Sequence, residues 1–353
     1  MSCLGAGVTS CSKSGADGPG TPDSVKVSLS VATIQNTGFD AVTITVKDKS
    51  GNDITGSVQL YADGDAISSN IYYPTASKAV TITAKKGTVP SNEAVLTVIA
   101  PGISPFTQKL LVEDFTGTWC GYCPRIAHNL ENYIATHPAC ISVGVHAGSA
   151  TEPFYYLYAN KLMNAFGVTS FPFAAINHNS KWTENNIELN NELGKWAPLG
   201  LAIQSAVSGN TISGKVQVKY NVTTDIPMKI MVMLVEDGLV YSQVNYYYNT
   251  AASPYYGPNP VPDFIHKNVL RQIDAADVVN GGDIPVSAQT KNNVWQKDFS
   301  FSKTGNTGIG TTYTVDVTKA KIVAFVLYGT NNLSRQGAIN TQIANVGDTK
   351  DFD

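Results

Sequence analysis

Cys120-Gly121-Tyr122-Cys123 sets two thiols three residues apart, a spacing at which they close reversibly into a disulfide. Trp119 precedes the pair and Pro124 follows it. Lys109 to Asp114 reads as a short buried strand, Phe115 to Thr118 as a turn containing Gly117, and Cys123 to His137 as a helix with Ile126, Leu130 and Ile134 on one face. Cys120 is thus expected at the helix N-terminus, reachable by solvent. Unpaired backbone N–H groups and the positive end of the macrodipole there favour a thiolate, with a pKa below the free value of about 8.5. Pro124 is compatible with the helix, because the first turn has no intrahelical use for its missing N–H.

The same spacing serves two other chemistries. One is an inert structural bridge. The other is a zinc site, which needs four ligands; no second C-x-x-C exists, and His128 and His146 are the only nearby nitrogens, so no metal is expected. His128 reads as a surface or packing residue, and Cys140, opening an apolar strand, as a buried thiol.

Val112 to Cys123 (V-E-D-F-T-G-T-W-C-G-Y-C) resembles the active-site segment of the thioredoxin superfamily, over roughly residues 105 to 197. The resemblance implies roles for particular residues. Asp114, six before Cys120, falls where the family keeps a buried carboxylate that accepts the proton of Cys123; burial would raise its pKa towards neutrality. Trp119 matches the tryptophan beside the nucleophile. Pro172, in Val168-Thr169-Ser170-Phe171-Pro172-Phe173, falls where the family has a cis-proline opposite the dithiol, leaving the Phe171 backbone free to pair with an extended substrate. Trp119, Tyr122, Ser170 and Phe171 are the expected client contacts. Gly121-Tyr122 is shared with periplasmic disulfide isomerases and points to reduction or isomerisation rather than strong oxidation. No cofactor is required.

The intervening elements follow the same order. Cys140 to His146 alternates as a strand, Phe154 to Phe166 carries a helical stripe ended by Gly167, Phe173 to Ile176 is an apolar strand, and Asn185 to Trp196 has a helical pattern.

At 353 residues the chain exceeds one average domain. Charged residues make up only 14%, the net charge is -3 and no basic run occurs, which argues against nucleic-acid binding. No apolar stretch of 18 residues offers a membrane-spanning helix. Val8-Thr9-Ser10-Cys11 fits a bacterial lipobox in which Cys11 is lipidated, although no Lys or Arg precedes it, as if the start lay upstream. Ser12 to Ser24 reads as a flexible tether. The expected organisation is therefore 1–24 address and tether, 25–100 an immunoglobulin-like β-sandwich, 101–197 a thioredoxin-like α/β domain, and 198–353 a C-terminal β-sandwich.

Alternating strands support the two flanks: Val25, Val27, Leu29 and Val31 in the first, and Val216, Val218, Tyr220 and Val222 in the last. Asp53-Ile54-Thr55 and Val95-Leu96-Thr97-Val98 resemble bacterial surface immunoglobulin-like domains. Tyr241 to Asp274 reads as a long loop rich in tyrosine and proline, expected to pack on its neighbours more than to bind a ligand. His266 and Arg271 suggest no chemistry there.

Lipobox, W-C-G-Y-C-P centre and a tail containing His266 to Arg271 together resemble the outer membrane protein 28-related lipoproteins of Gram-negative bacteria. Expected is an outer-membrane lipoprotein, facing periplasm or cell surface, that exchanges disulfides with client proteins and draws on a thiol electron donor if it is a reductase. The competing reading is an anchored binding lipoprotein that uses the thioredoxin-like domain as a scaffold.

Overall fold

A computed structural model describes residues 24–329 and 336–353, which fall into two compact units, one up to Ala100 and one from Pro101 to Asp353. Cys3 and the lipobox around Cys11 lie outside the described residues.

The first unit is all β apart from one short 3-10 turn. Lys26–Leu29, Val42–Lys47 and Ile71–Tyr72 form one sheet; a second runs Thr33–Gln35, Ala94–Ile99, Ala79–Lys86, Gln59–Ala62 and Asp65–Ile67, with Val89–Pro90 on Ala79–Lys86. Side chains alternate across each strand, so Val27, Ile44, Val46, Leu60, Val80, Ile82, Leu96 and Val98 form a single core, as a β-sandwich requires.

The second unit is built on a nine-stranded sheet. In spatial order its strands are Ser180–Lys181, Phe173–Ile176, Leu110–Thr116, Cys140–His146, Val269–Asp274, Met228–Glu236, Ala320–Tyr328 and Ala338–Asn345, with Gly282–Ile284 on Met228–Glu236. Leu110–Thr116 is parallel to Cys140–His146 and antiparallel to Phe173–Ile176. A second sheet, Val294–Ser302, Thr211–Tyr220, Leu199–Ser208 and Thr349–Lys350, buries Val216, Val218 and Tyr220 as their alternation predicts, and Val222, just beyond the strand end, is buried too.

The expected boundary between 101–197 and 198–353 does not separate two folding units. Strands from both sides share the large sheet, and Leu111, Phe115, Val143 and Val145 enter one core with Met231, Met233, Val235, Leu270 and Phe325. Within the large sheet, Gly144 and Val269 are the only ladder pair between the two sides among the described residues, reinforced by Asn268 Nδ2 donating to the Ser142 carbonyl at 3.0 Å. Each side carries its own strand pattern, so the sequence reads as two modules, whereas packing makes them one.

Helices are shorter than their patterns suggest. Phe154 to Phe166 is helical only over Ala159–Phe166, and Asn185 to Trp196 only over Asn186–Asn190. The Tyr241 to Asp274 stretch is largely strand: Leu239–Gln243 pairs with Val261–His266, and Val269–Asp274 joins the main sheet. That leaves 244–260 as the loop. Among the described residues no helix is long and apolar enough to cross a membrane.

Candidate functional site

Every residue of Leu110–Thr116 is buried. Its two-residue period sends Leu110 and Val112 under the Cys123–Thr136 helix, against Ile126, Leu130 and Tyr133, and Leu111 and Phe115 to the opposite core. Asp114 shares the face of Leu110 and Val112, which carries its carboxyl beneath the helix that begins at Cys123. Glu113, one residue earlier, points the other way and pairs with buried His178 at 2.9 Å.

Cys120 and Cys123 form a disulfide, with Cα atoms 5.4 Å apart. The helix starts at Cys123 with Pro124 in its first turn, so Cys120 sits just ahead of the first turn; Cys123 N–H donates to its carbonyl at 3.1 Å. Asp114 and Cys123 both line a cavity of 490 Å³ that also touches His146, Gln243 and His266. Asp114 Oδ1 has no hydrogen-bond partner among the described residues. Burial, and secondarily the charge of Glu184, pushes this carboxyl up to about 8, near the pH at which a proton acceptor works best.

The Trp119 indole donates to the Ala147 carbonyl at 2.9 Å and meets Phe171 edge-on, ring centroids 5.2 Å apart. Phe171–Pro172 is a cis peptide bond, as the resemblance implies. Ser170 is exposed and Phe171 and Pro172 half-buried, so the proline turn lies beside Trp119, the residue next to Cys120. Gly148 allows this approach: a Cβ there would stand 2.5 Å from the Trp119 ring.

Solvent access differs from expectation. Cys120 is only 4% exposed and Cys123 1%, because residues 243–247 lie along the motif. Val244 N–H donates to the Thr118 carbonyl (2.8 Å) and Tyr246 N–H to that of Gly121 (2.9 Å). The Gln243 side-chain amide reaches the carbonyls of Gly117 (3.2 Å) and Cys120 (2.9 Å). Tyr246 covers Gly121 so closely that a Cβ at 121 would lie 2.4 Å from its ring. Tyr122 is itself exposed and meets Tyr246 edge-on at 5.1 Å.

A buried carboxylate that the sequence did not single out holds the other side of the loop. Glu152 Oε2 accepts from Thr118 N–H (2.6 Å) and Thr118 Oγ1 (2.9 Å), while Oε1 faces His146 Nδ1 at 2.9 Å and accepts from Phe154 N–H at 3.1 Å. Burial alone would raise its pKa, but the bonds from His146 and Thr118 outweigh that and hold it below the ordinary value. The one signal in the sequence is an acidic residue separated by Pro153 from the aromatic run Phe154-Tyr155-Tyr156. Gln243 gave none, since it lies in sequence far from the motif it grips.

Other expected residues take structural roles. Cys140 is a buried thiol pushed up to about 12 by desolvation. His128 bonds Asn132 and meets Tyr255 edge-on. His266 packs among His146, Phe154 and Phe264, and burial together with His146 lowers it to about 3, so it is neutral. Arg271 forms a buried ion pair with Glu236 at 2.8 Å and stacks on Tyr313. Among the described residues no group of three His, Cys, Asp or Glu side chains is arranged to hold a metal ion.

Comparison with known proteins places these residues in context. The family described as Outer membrane protein Omp28 matches residues 159–350, more than half of the chain and including Pro172 and Gln243 to Tyr247, but beginning after the two cysteines. No curated protein matches the sequence. Among solved structures the chain is similar to HBP35 of Porphyromonas gingivalis, with a TM-score of 0.53 at 16% identity, over 69% of this chain and 76% of that one; at that identity the likeness speaks to fold alone.

Proposed function

Starting from a chain that belongs to the Outer membrane protein Omp28 family, we propose that it is an exported thiol-disulfide oxidoreductase, of reductase or isomerase type, acting on protein disulfides through Cys120 and Cys123. The observation that carries this reading is the conjunction at one helix N-terminus of a C-x-x-C disulfide and, beneath it, a buried carboxyl with an unpartnered oxygen. Trp119 against the Phe171–Pro172 turn adds to it. The elements from Leu110 to Asn190 run strand, helix, strand, helix, proline turn, two paired strands and helix, an order that supports a thioredoxin-like architecture.

In the reducing direction the Cys120 thiolate attacks a client disulfide. Its S–S bond breaks, a Cys120–client mixed disulfide forms, and one client sulfur leaves as a thiolate that takes a proton from water. In the molecules whose Asp114 is ionised, a fraction that grows towards pH 8, Cys123 then gives its proton to that carboxylate and attacks the Cys120 sulfur, expelling the second client thiolate. Two electrons pass to the client and the Cys120–Cys123 disulfide remains. An external dithiol returns it to the reduced state. The Phe171 backbone beside Pro172 would pair with the client chain, with Trp119, Tyr122 and Ser170 around it. The lipobox at Cys11 would tether the protein to the membrane by lipid alone.

A second reading, an anchored binding protein that keeps the α/β unit as a scaffold, draws on the burial of Cys120. Dithiothreitol-driven insulin reduction, followed as turbidity, tests the choice. The oxidoreductase reading expects Cys120→Ser to remove the acceleration seen with wild type; identical curves would leave only the scaffold.

A further inference from the structure

Resting on the oxidoreductase reading, we propose that the segment Gln243 to Tyr247 determines the substrate class of the dithiol. It admits small disulfides to Cys120 while seated, and protein disulfides only when Tyr246 and Tyr247 lift.

The segment lies on the motif much as an added peptide strand would, with backbone donors at alternate residues, 244 and 246, spent on the carbonyls of Thr118 and Gly121. A client chain approaching the same loop meets those acceptors already occupied. The two ends of the segment are held very differently. Gln243 and Asn245 are almost wholly buried. Asn245 Nδ2 donates to the carbonyls of Tyr255 (2.7 Å) and Pro258 (2.9 Å), and its backbone N–H to Asn259 Oδ1 at 2.9 Å.

Beyond Asn245 the contacts reach the surface. Tyr246 is 51% exposed, and its grip on the motif is one backbone bond plus a ring laid over Gly121 and against Tyr122. Tyr247 is latched by its hydroxyl to Arg125 Nη1 at 2.7 Å, an exposed bond on the active-site helix, while the same guanidinium pairs with Glu184 at 2.6 Å. Tyr247 N–H also donates to Asn245 Oδ1 at 2.9 Å and its carbonyl accepts from Thr250 N–H at 3.0 Å, so the movable part, a flap, is the two tyrosine side chains and the Tyr246 backbone bond, hinged at the buried Asn245. This flap lies directly over Gly121, the residue next to the buried Cys120. A small disulfide needs only a gap beside it, whereas a protein loop needs the flap displaced. Where the open form is the minor state, the protein-directed rate scales with its population.

The test compares turnover of insulin with that of bis(2-hydroxyethyl) disulfide, both with dithiothreitol as donor, in wild type, Tyr246→Ala and Tyr247→Phe. The expected result is an insulin rate raised on the order of tenfold by Tyr246→Ala and less by Tyr247→Phe, with the small-disulfide rate within about twofold of wild type in both. That unchanged rate also reports an intact fold. Insulin and small-disulfide rates that shift together, or an insulin rate that neither variant raises, would overturn the flap. Wild type inactive on both substrates would instead overturn the oxidoreductase reading beneath it.

Discussion

On the proposed oxidoreductase reading, Cys123→Ser is expected to give a trap in place of a catalyst. With Cys120 intact, attack on a client disulfide still proceeds, but the mixed disulfide loses the partner that resolves it. In the native protein that partner is on the adjacent helical turn, 5.4 Å away between Cα atoms. Well-placed intramolecular groups act at effective concentrations of about 10⁵ M or more. A donor thiol at about 1 mM cannot replace such a group, and multiple-turnover insulin reduction should fall by several orders of magnitude. Non-reducing electrophoresis should show the variant joined to insulin chains and released by excess dithiothreitol. Cys120→Ser should show no adduct, because the proposed order makes Cys120 the attacking sulfur and Cys123 only the thiol that resolves it. Equal adducts from both variants would contradict the assigned order of attack.

Asp114→Asn is expected to stabilise the fold and slow the chemistry. The native carboxyl keeps its proton to about pH 8 because it is buried, whereas in the unfolded chain it ionises near its ordinary value. Between these two values the native state binds more protons than the unfolded state. Stability therefore falls as pH rises through that window and levels off above about 8. At pH 7 the penalty is up to roughly 4 kcal/mol. The variant, which does not titrate, should unfold at higher denaturant concentration at pH 7 and show a flatter profile from about pH 4 to 8. Resolution of the mixed disulfide should slow by about 10²-fold, and the rise of that rate towards pH 8 should disappear. A stability profile unchanged by the substitution would show that Asp114 is ionised in the native protein at neutral pH.

Local patterns carried the site further than the fold. The strand before the motif, the helix from Cys123 and the Cys140–His146 strand follow from short-range periodicity, and the structure places them within one or two residues of those expectations. Pro172 was singled out by the resemblance, which places a cis-proline between a helix and an apolar strand, and its neighbour Phe171 does meet Trp119. The fusion of the central and C-terminal modules left no such trace. It depends on one ladder pair at Gly144 and Val269 and on a shared core between residues more than a hundred positions apart, and no periodicity encodes a pairing of that range. The cover over Cys120 was hidden for the same reason: tyrosines at 246 and 247 look like any aromatic loop until Gln243 is seen gripping the carbonyls of Gly117 and Cys120. Helix lengths failed where an amphipathic pattern continued through turns, as at Phe154 to Tyr158.

The reduction potential of the Cys120–Cys123 pair, measured by equilibration of the full chain with glutathione buffers, tests the redox assignment most directly. A disulfide that cycles with clients should fall between about -270 and -120 mV, the range of proteins that exchange disulfides for a living. A value below about -300 mV would identify a structural bridge that no thiol donor opens in use, and would contradict the assignment.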